Sequence, residues 1–308
     1  MEIRTLRYFL EAAREQSISR AADKVHVTQP ALSKQIRELE TELGRKLFVR
    51  SSHSVRLTDE GMLLRKRAED ILSLVDKTLE EFRSLPEITG GTVYIGCAES
   101  RLISVIAGII REFRESYPDF VFRISSGGAD DTVDMLDRGL LDLAVIVEPP
   151  NLAHYSYLEI PGFDSWGLIV RRDSPLAAKE FITPDDLIGL DLICPERAIR
   201  KDIPRWCGEK AEKFRYVGSV NLAYNASVFV REGLGCQLTF GGIVDVSGES
   251  GLKFIPLRPR LTNSLYVVWR KFQVFTPIAG LFVERLKERL GKSAGAGEHL
   301  NESSDTRL

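Results

Sequence analysis

Cysteine is scarce in this chain of 308 residues: Cys97, Cys194, Cys207 and Cys236 form no C-x-x-C pair and do not cluster with the four histidines. That spacing argues against a disulfide scaffold and indicates no zinc site, so reduced, mostly buried thiols are expected. No run of about eighteen apolar residues exists, so nothing is expected to span a bilayer. The opening MEIRTLRYFLEAAREQ mixes charges among its apolar residues. It therefore does not read as a signal peptide, and the chain is expected to stay in the cytoplasm. P-loop, nucleophile elbow and H-E-x-x-H are all missing, and GLGCQL at 233–238 is no dinucleotide fingerprint. An enzyme reading would rest on the α/β pattern described below, and a fold class confers no activity. No cofactor is called for.

What is present is an ordinary globular composition, 44% hydrophobic and 28% charged, long enough for two or three units. Net charge is −2, but residues 1–58 hold eleven basic against seven acidic residues, so they carry +4 and the remainder −6. Such asymmetry fits a small module facing DNA phosphates on a body that touches none.

Residues 1–58 read as three short helices and a hairpin. Leu6, Phe9, Leu10 and Ala13 recur at helical spacing, and Ser19 can cap a second helix containing Ala21 and Ala22. Thr28 is an N-cap candidate followed by Gln29 and Pro30, a proline tolerated in a first turn. Leu32, Ile36, Leu39 and Leu43 then continue one face of a third helix, with Gly44 where a left-handed C-cap is wanted. Residues 46–50 and 54–57, joined by the polar Ser51-Ser52-His53, read as two short strands. Thr58 caps a helix over about 59–85 whose stripe of Ala68, Ile71, Leu72, Val75, Leu79 and Phe82 has no core of its own to cover it. Pairing with a second copy is the expected remedy. Pro86 and Gly90-Gly91 mark a linker.

Beyond the linker, strands alternate with helices: TVYIGC, helix 103–117, FVFRIS, helix 130–138, LDLAVIV, WGLIVRR, a helix opened by Thr183-Pro184-Asp185-Asp186, DLIC, helix 204–213, FRYVGSV, helix 224–232, CQLTF, KFIPL, SLYVVWRK and helix 277–290. This implies a mainly parallel sheet covered on both faces, built as two α/β subdomains. Residues 291–308, small and polar, are expected to form a disordered tail.

In a helix-turn-helix, the second helix of the motif enters the major groove. With the apolar face of the third helix turned inward, Gln29, Ser33, Lys34 and Arg37 are expected outward, Thr28, Gln29 and Pro30 lie at its leading end, and Arg50 and Arg56 suit a wing over the backbone or minor groove. Gln can pair an adenine and Ser several bases, whereas Lys34 and Arg37 suit phosphates. Glu40 reads as structural, His26 and His53 as surface residues.

The run SISRAADKVHVTQPALSKQIRELETELGRKLFVRSSHSVRLTDEG resembles the DNA-binding domain of LysR-type transcriptional regulators, with Ala21-Ala22, Gln29-Pro30, Ser33, Ile36, Leu39-Glu40, Leu43-Gly44, Leu47-Phe48, Arg50 and Leu57-Thr58 where that family's pattern places them. The resemblance implies a winged helix-turn-helix over 1–58, a dimerising linker helix over 59–89, and an effector-binding domain over 92–290. That domain would comprise two Rossmann-like subdomains similar to periplasmic solute-binding proteins, about 92–161 plus 268–290, and 162–267. It further implies operator binding to double-stranded DNA with an inverted repeat, a homodimer paired into a homotetramer, and RNA polymerase as a partner in an activator. Solute binding for transport is a third reading, set aside by the DNA-binding module.

Ligands of open α/β sheets sit beyond the carboxyl ends of strands. That rule selects Ser100, Arg101, Ser126, Gly127, Glu148, Arg197 and Asn221 as effector-binding candidates. Helix N-termini beside Ser100, Arg101 and Arg197 favour a carboxylate or other anion, while Glu99 and Glu148 would accept an amine. Peroxide-sensing members of the family carry two cysteines in the second subdomain, where Cys194 and Cys207 lie with spacing and flanks that match poorly.

Overall fold

The computed structural model describes residues 1–50, 54–83, 89–147 and 154–294. The side chains of Arg50, 80–83 and 292–294, and the candidates Ser51, Ser52, His53, Pro86 and Glu148, lie outside what it describes. The chain separates into two compact units, 1–83 and 84–308.

In the first unit, α1 (Ile3–Glu15), α2 (Ile18–Lys24) and α3 (Gln29–Leu43) precede an antiparallel hairpin of β1 (Phe48–Arg50) and β2 (Val55–Leu57). Leu6, Phe9 and Ala12 of α1 meet Ala21 and Ala22 of α2 and Leu32, Ile36 and Leu39 of α3 in one core. The Phe9 ring lies 5.3 Å from that of Phe48, tying the hairpin to it. Ser17, not Ser19, caps α2: its hydroxyl accepts from the Arg20 amide. Gly44 ends α3 at φ 65°, a conformation that costs glycine nothing. Leu43, expected inside, is 41% exposed, because the helix face it shares with Leu39 passes beyond the core at its last turn.

Helix α4 (Asp59–Arg83) follows Thr58, whose hydroxyl accepts from the Gly61 amide at 3.0 Å. Its stripe is divided. Ala68 and Leu72 are buried in the unit's own core, with Ile71 packed against it, whereas Leu74 and Leu79 are exposed. The expectation that the whole stripe lacked a core is thus corrected for its first half; the Phe82 side chain lies outside the description.

The second unit is a nine-stranded sheet ordered β4 (Asp119–Ser126), β3 (Gly90–Cys97), β5 (Leu143–Val147), β11 (Thr262–Arg270), β6 (Tyr155–Arg171), β9 (Cys236–Phe240), β7 (Asp191–Cys194) and β8 (Arg215–Ser219), with β10 (Leu252–Pro256) beside β6. Its helices are α5 (Ile103–Ser116), α6 (Ala129–Asp137), α7 (Pro184–Leu187), α8 (Glu196–Arg200), α9 (Asp202–Cys207), α10 (Ala223–Arg231) and α11 (Pro277–Ala294).

Several expectations change here. Gly90 and Gly91 belong to β3 and not to a linker: Gly90 pairs with Asp119, and a Cβ on it would come within 2.2 Å of the Asp119 backbone. The sheet is mixed. Strands β4, β3 and β5 run parallel, as do β8, β7 and β9, but β11 is antiparallel to both β5 and β6, and β6 to both β9 and β10. Strand β6 is also longer than WGLIVRR. Its first part pairs with β11 and its last with β9 and β10, so it joins two lobes, and divisions at 161/162 and 267/268 fall inside β6 and β11. The helix expected over 204–213 is α9, entered with Pro204 in its first turn, followed by a 3-10 turn at Gly208–Lys213. Helix α11 continues through 291–294 of the expected tail; 295–308 lie outside the described residues. One core runs through both lobes, from Val93, Phe113 and Phe282 to Leu192, Ile203 and Leu238.

Candidate DNA-binding face and effector cavity

Along α3 the inward set is Leu32, Ser33, Ile36, Leu39 and Glu40. Thr28, Gln29, Pro30, Lys34 and Arg37 are exposed, as is Arg56 on β2. Ser33 departs from expectation: it is 7% exposed and faces the core, since at 100° per residue it falls beside Leu32 and Ile36. Ala31, not singled out by sequence, is exposed between Pro30 and Lys34, and its only signal was its place in that leading turn. Lys34 lies 3.7 Å from Glu38, one turn on. Arg50 pairs with Val55 in the hairpin; its side chain is outside the description.

Glu40 is 3% exposed, and its carboxylate accepts from the amides of Leu47 at 2.9 Å and Phe48 at 3.3 Å, with the Lys46 ammonium 3.3 Å away. It therefore fixes the start of the hairpin against α3, which is the structural role its sequence position indicated.

In the second unit, strand ends from both lobes enclose a cavity of about 600 Å³. One lobe contributes Ala98 and Glu99 after β3 and the 127–131 turn into α6. The other contributes Pro195 and Arg197 after β7, Asn221 after β8, and Gln237, Thr239 and Phe240 of β9. Of the sequence candidates, Gly127, Arg197 and Asn221 line it, and Ser100, Arg101 and Ser126 do not. Ser100 is buried, donating to Asp164 Oδ2 at 2.5 Å and accepting from the Leu102 amide at 2.9 Å. Burial pushes the Asp164 carboxyl above the usual range, against the pull of the Ser100 hydrogen bond and the Arg101 charge. Arg101 and Ser126 are exposed. Arg197 lies 3.7 Å from the buried Asp202, which also accepts from Asn263 Nδ2 at 2.9 Å. Sequence reasoning missed Asp130, Asp131 and Gln237. Gln237 sits within an apolar strand and gave no local signal.

Burial pushes the thiols of Cys194 and Cys207 up, and Cys207 Sγ lies 3.2 Å from the Ile203 carbonyl, so neither is poised as a thiolate. Among the described residues no group of acidic, histidine and cysteine side chains could hold a metal ion, and no helix is long and apolar enough to cross a membrane.

A helix-turn-helix with a hairpin wing, followed by a two-lobed domain closing on a cavity, defines a DNA-binding module coupled to a small-molecule-binding module. Family models agree with both parts: "Bacterial regulatory helix-turn-helix protein, lysR family" matches residues 3–62, and "LysR substrate binding domain" matches 87–291. The chain belongs to the LysR family and is a DNA-binding transcriptional regulator with an effector-binding domain, not an enzyme.

It is 26% identical over 289 residues to the uncharacterized HTH-type transcriptional regulator YybE of Bacillus subtilis (strain 168), covering 92% of this chain and 97% of that one. It is 33% identical over 198 residues to a hydrogen peroxide-inducible genes activator of Pectobacterium carotovorum subsp. carotovorum, covering 64% and 65%. Full-length CbnR, crystallised with its target DNA, shares the fold at a TM-score of 0.73 and 20% identity, covering 94% of this chain and 100% of that one.

Proposed function

We propose that α3 reads the major groove through Gln29, Pro30 and Ala31, that Thr28, Lys34 and Arg37 hold the flanking backbone, and that Arg50 and Arg56 extend the grip through the wing. The observation that carries this reading is the division of α3. Its apolar side, with Ser33 and Glu40, is buried, and what stays exposed at its leading end is polar, small or cationic. Free amides in the first turn add an attraction for phosphate, and Ala31 is of a size to meet a thymine methyl. The protein acts in the cytoplasm.

The open half of α4, where Ile71, Leu74, Val75, Thr78 and Leu79 line an apolar groove, supports a homodimer through this helix. Two recognition helices related by its two-fold axis call for an inverted-repeat operator. The second unit leaves apolar residues on both edges of its sheet, Val121, Phe122 and Ile124 on β4 and Val217 on β8. Pairing one edge with the other about a two-fold covers both sets, which supports a homotetramer. In an activating role RNA polymerase is a further partner. The small-molecule effector occupies the cavity of the second unit, in contact with Gly127, Arg197 and Asn221.

The test is selection of bound duplexes from a random pool, then titration of the selected site against salt. Lys34→Ala and Arg37→Ala are each expected to weaken all sequences alike and lower the salt slope by about one. Gln29→Ala is expected to relax base choice at one position of each half-site. Unchanged affinity and slope in both cation variants would sink the assignment of the reading helix.

A further inference from the structure

The effector cavity carries more negative charge than its sequence candidates indicated. Glu99, Asp130 and Asp131 line one lobe's side. Across from them, Arg197 is the one basic residue among the described lining residues, and it is drawn toward Asp202. Two helix N-termini that reach the cavity, those of α6 and α10, are already served by the protein's own acids. Asp130 and Asp131 occupy the first turn of α6, and the Glu99 carboxylate accepts from the Ala223 amide at the start of α10.

A second observation, independent of charge, lies in the same corner. Gln237 is 1% exposed and lines the cavity. Its Nε2 donates to the Ala223 carbonyl at 3.0 Å, which fixes the orientation of the amide and leaves Oε1 buried with no donor. Glu99 and Gln237 thus converge on one residue, Ala223, and the corner they form presents acceptors. A buried acceptor without a donor is costly, and a ligand hydrogen-bond donor removes that cost. Beside it stand Trp166 and Phe240, ring centroids 4.6 Å apart, whose faces accept an apolar body or a cation.

We propose that the effector of this cavity is a protonated amine on an apolar or aromatic body, its ammonium held between Glu99 and the Gln237 carbonyl oxygen. This rests on the reading of the cavity as the effector site. An ammonium brings three donors and no acceptor, matching this corner, whereas a carboxylate brings only acceptors and meets like charge.

The experiment uses the full-length protein and matched probes: 2-phenylethylamine, phenethyl alcohol and 3-phenylpropionate, with alkylamines and the corresponding acids, read by calorimetry and thermal shift at neutral pH. Amines are expected to bind at least tenfold tighter than their matched acids. Glu99→Gln is expected to weaken amine binding about tenfold or more, the usual scale for a charge-assisted hydrogen bond. Gln237→Leu and Asp131→Asn are expected to weaken it severalfold, with circular dichroism reporting whether each variant is folded. Acids binding tighter than amines, an absence of amine binding, or folded Glu99→Gln and Gln237→Leu variants with unchanged amine affinity would each overturn the proposal.

Gly127→Trp separates the two readings, since a Cβ at this position meets nothing closer than 3.7 Å and the ring can fill the cavity. If acids bind and this variant abolishes their binding, the cavity stands as the effector site and only its charge preference is wrong. Probe binding of either sign that Gly127→Trp leaves intact would show that the cavity is not the site, and both readings fall.

Discussion

Glu40 shows how a single buried acid can organise a surface it never touches. It lies on the inward side of α3, whose opposite side is exposed, and three donors converge on its carboxylate. A buried anion is tolerable only when so surrounded, and removing it strands the two amides of Leu47 and Phe48. Glu40→Ala is therefore expected to cost about 2–4 kcal/mol of stability, and Glu40→Gln, which keeps an acceptor, less than half of that. Urea unfolding followed by tryptophan-independent circular dichroism measures this. A loss under about 0.5 kcal/mol for the alanine variant, within ordinary surface noise, would remove Glu40 from this role.

At the scale of elements, α4 is one helix with two environments. Its first four turns bury Ala68 and Leu72 against the helices of the DNA-binding unit, so that part is held by its own chain. Farther along, Leu79 is 50% exposed and Leu74, Val75 and Thr78 share its groove. An exposed apolar groove on a helix that long is the kind of surface a second copy covers. Leu79→Glu is expected to shift sedimentation from dimer or larger species toward monomer at micromolar concentration, and to weaken operator binding at least tenfold through the loss of paired half-sites. Unaltered assembly and DNA affinity in this variant would place the dimer contact elsewhere.

The whole molecule couples two units with separate cores, one holding the exposed cations of α3 and the other the cavity. Within the second unit, β6 passes through both lobes, and Glu99 of one lobe bonds Ala223 of the other. A ligand seated there contacts both lobes at once, so its binding energy can favour one lobe arrangement over another. Because the cores are separate, residues 84–308 expressed alone are expected to keep probe binding within about threefold of the full chain while losing DNA attraction altogether. Gel shift and calorimetry on the fragment decide this; DNA binding by the fragment would relocate the interface.

Much of this organisation was legible in the sequence because it is encoded within a few residues at a time. The spacing of Leu32, Ile36 and Leu39, the glycine after α3, Thr58 before α4 and the charge surplus of 1–58 depend on local periodicity and composition alone. Strand ends likewise pointed to Gly127, Arg197 and Asn221. What the sequence could not settle depends on partners far along the chain. Ser33 turned inward because the core of three helices is wider than one stripe. Ser100 was withdrawn from the cavity by Asp164, 64 residues on, and Glu99 reached Ala223 across 124. The antiparallel placement of β11 and the passage of β6 through both lobes follow from strand pairing between distant segments, which no local pattern records. The chain's local chemistry determined which surfaces exist, and tertiary pairing decided which side chains meet there.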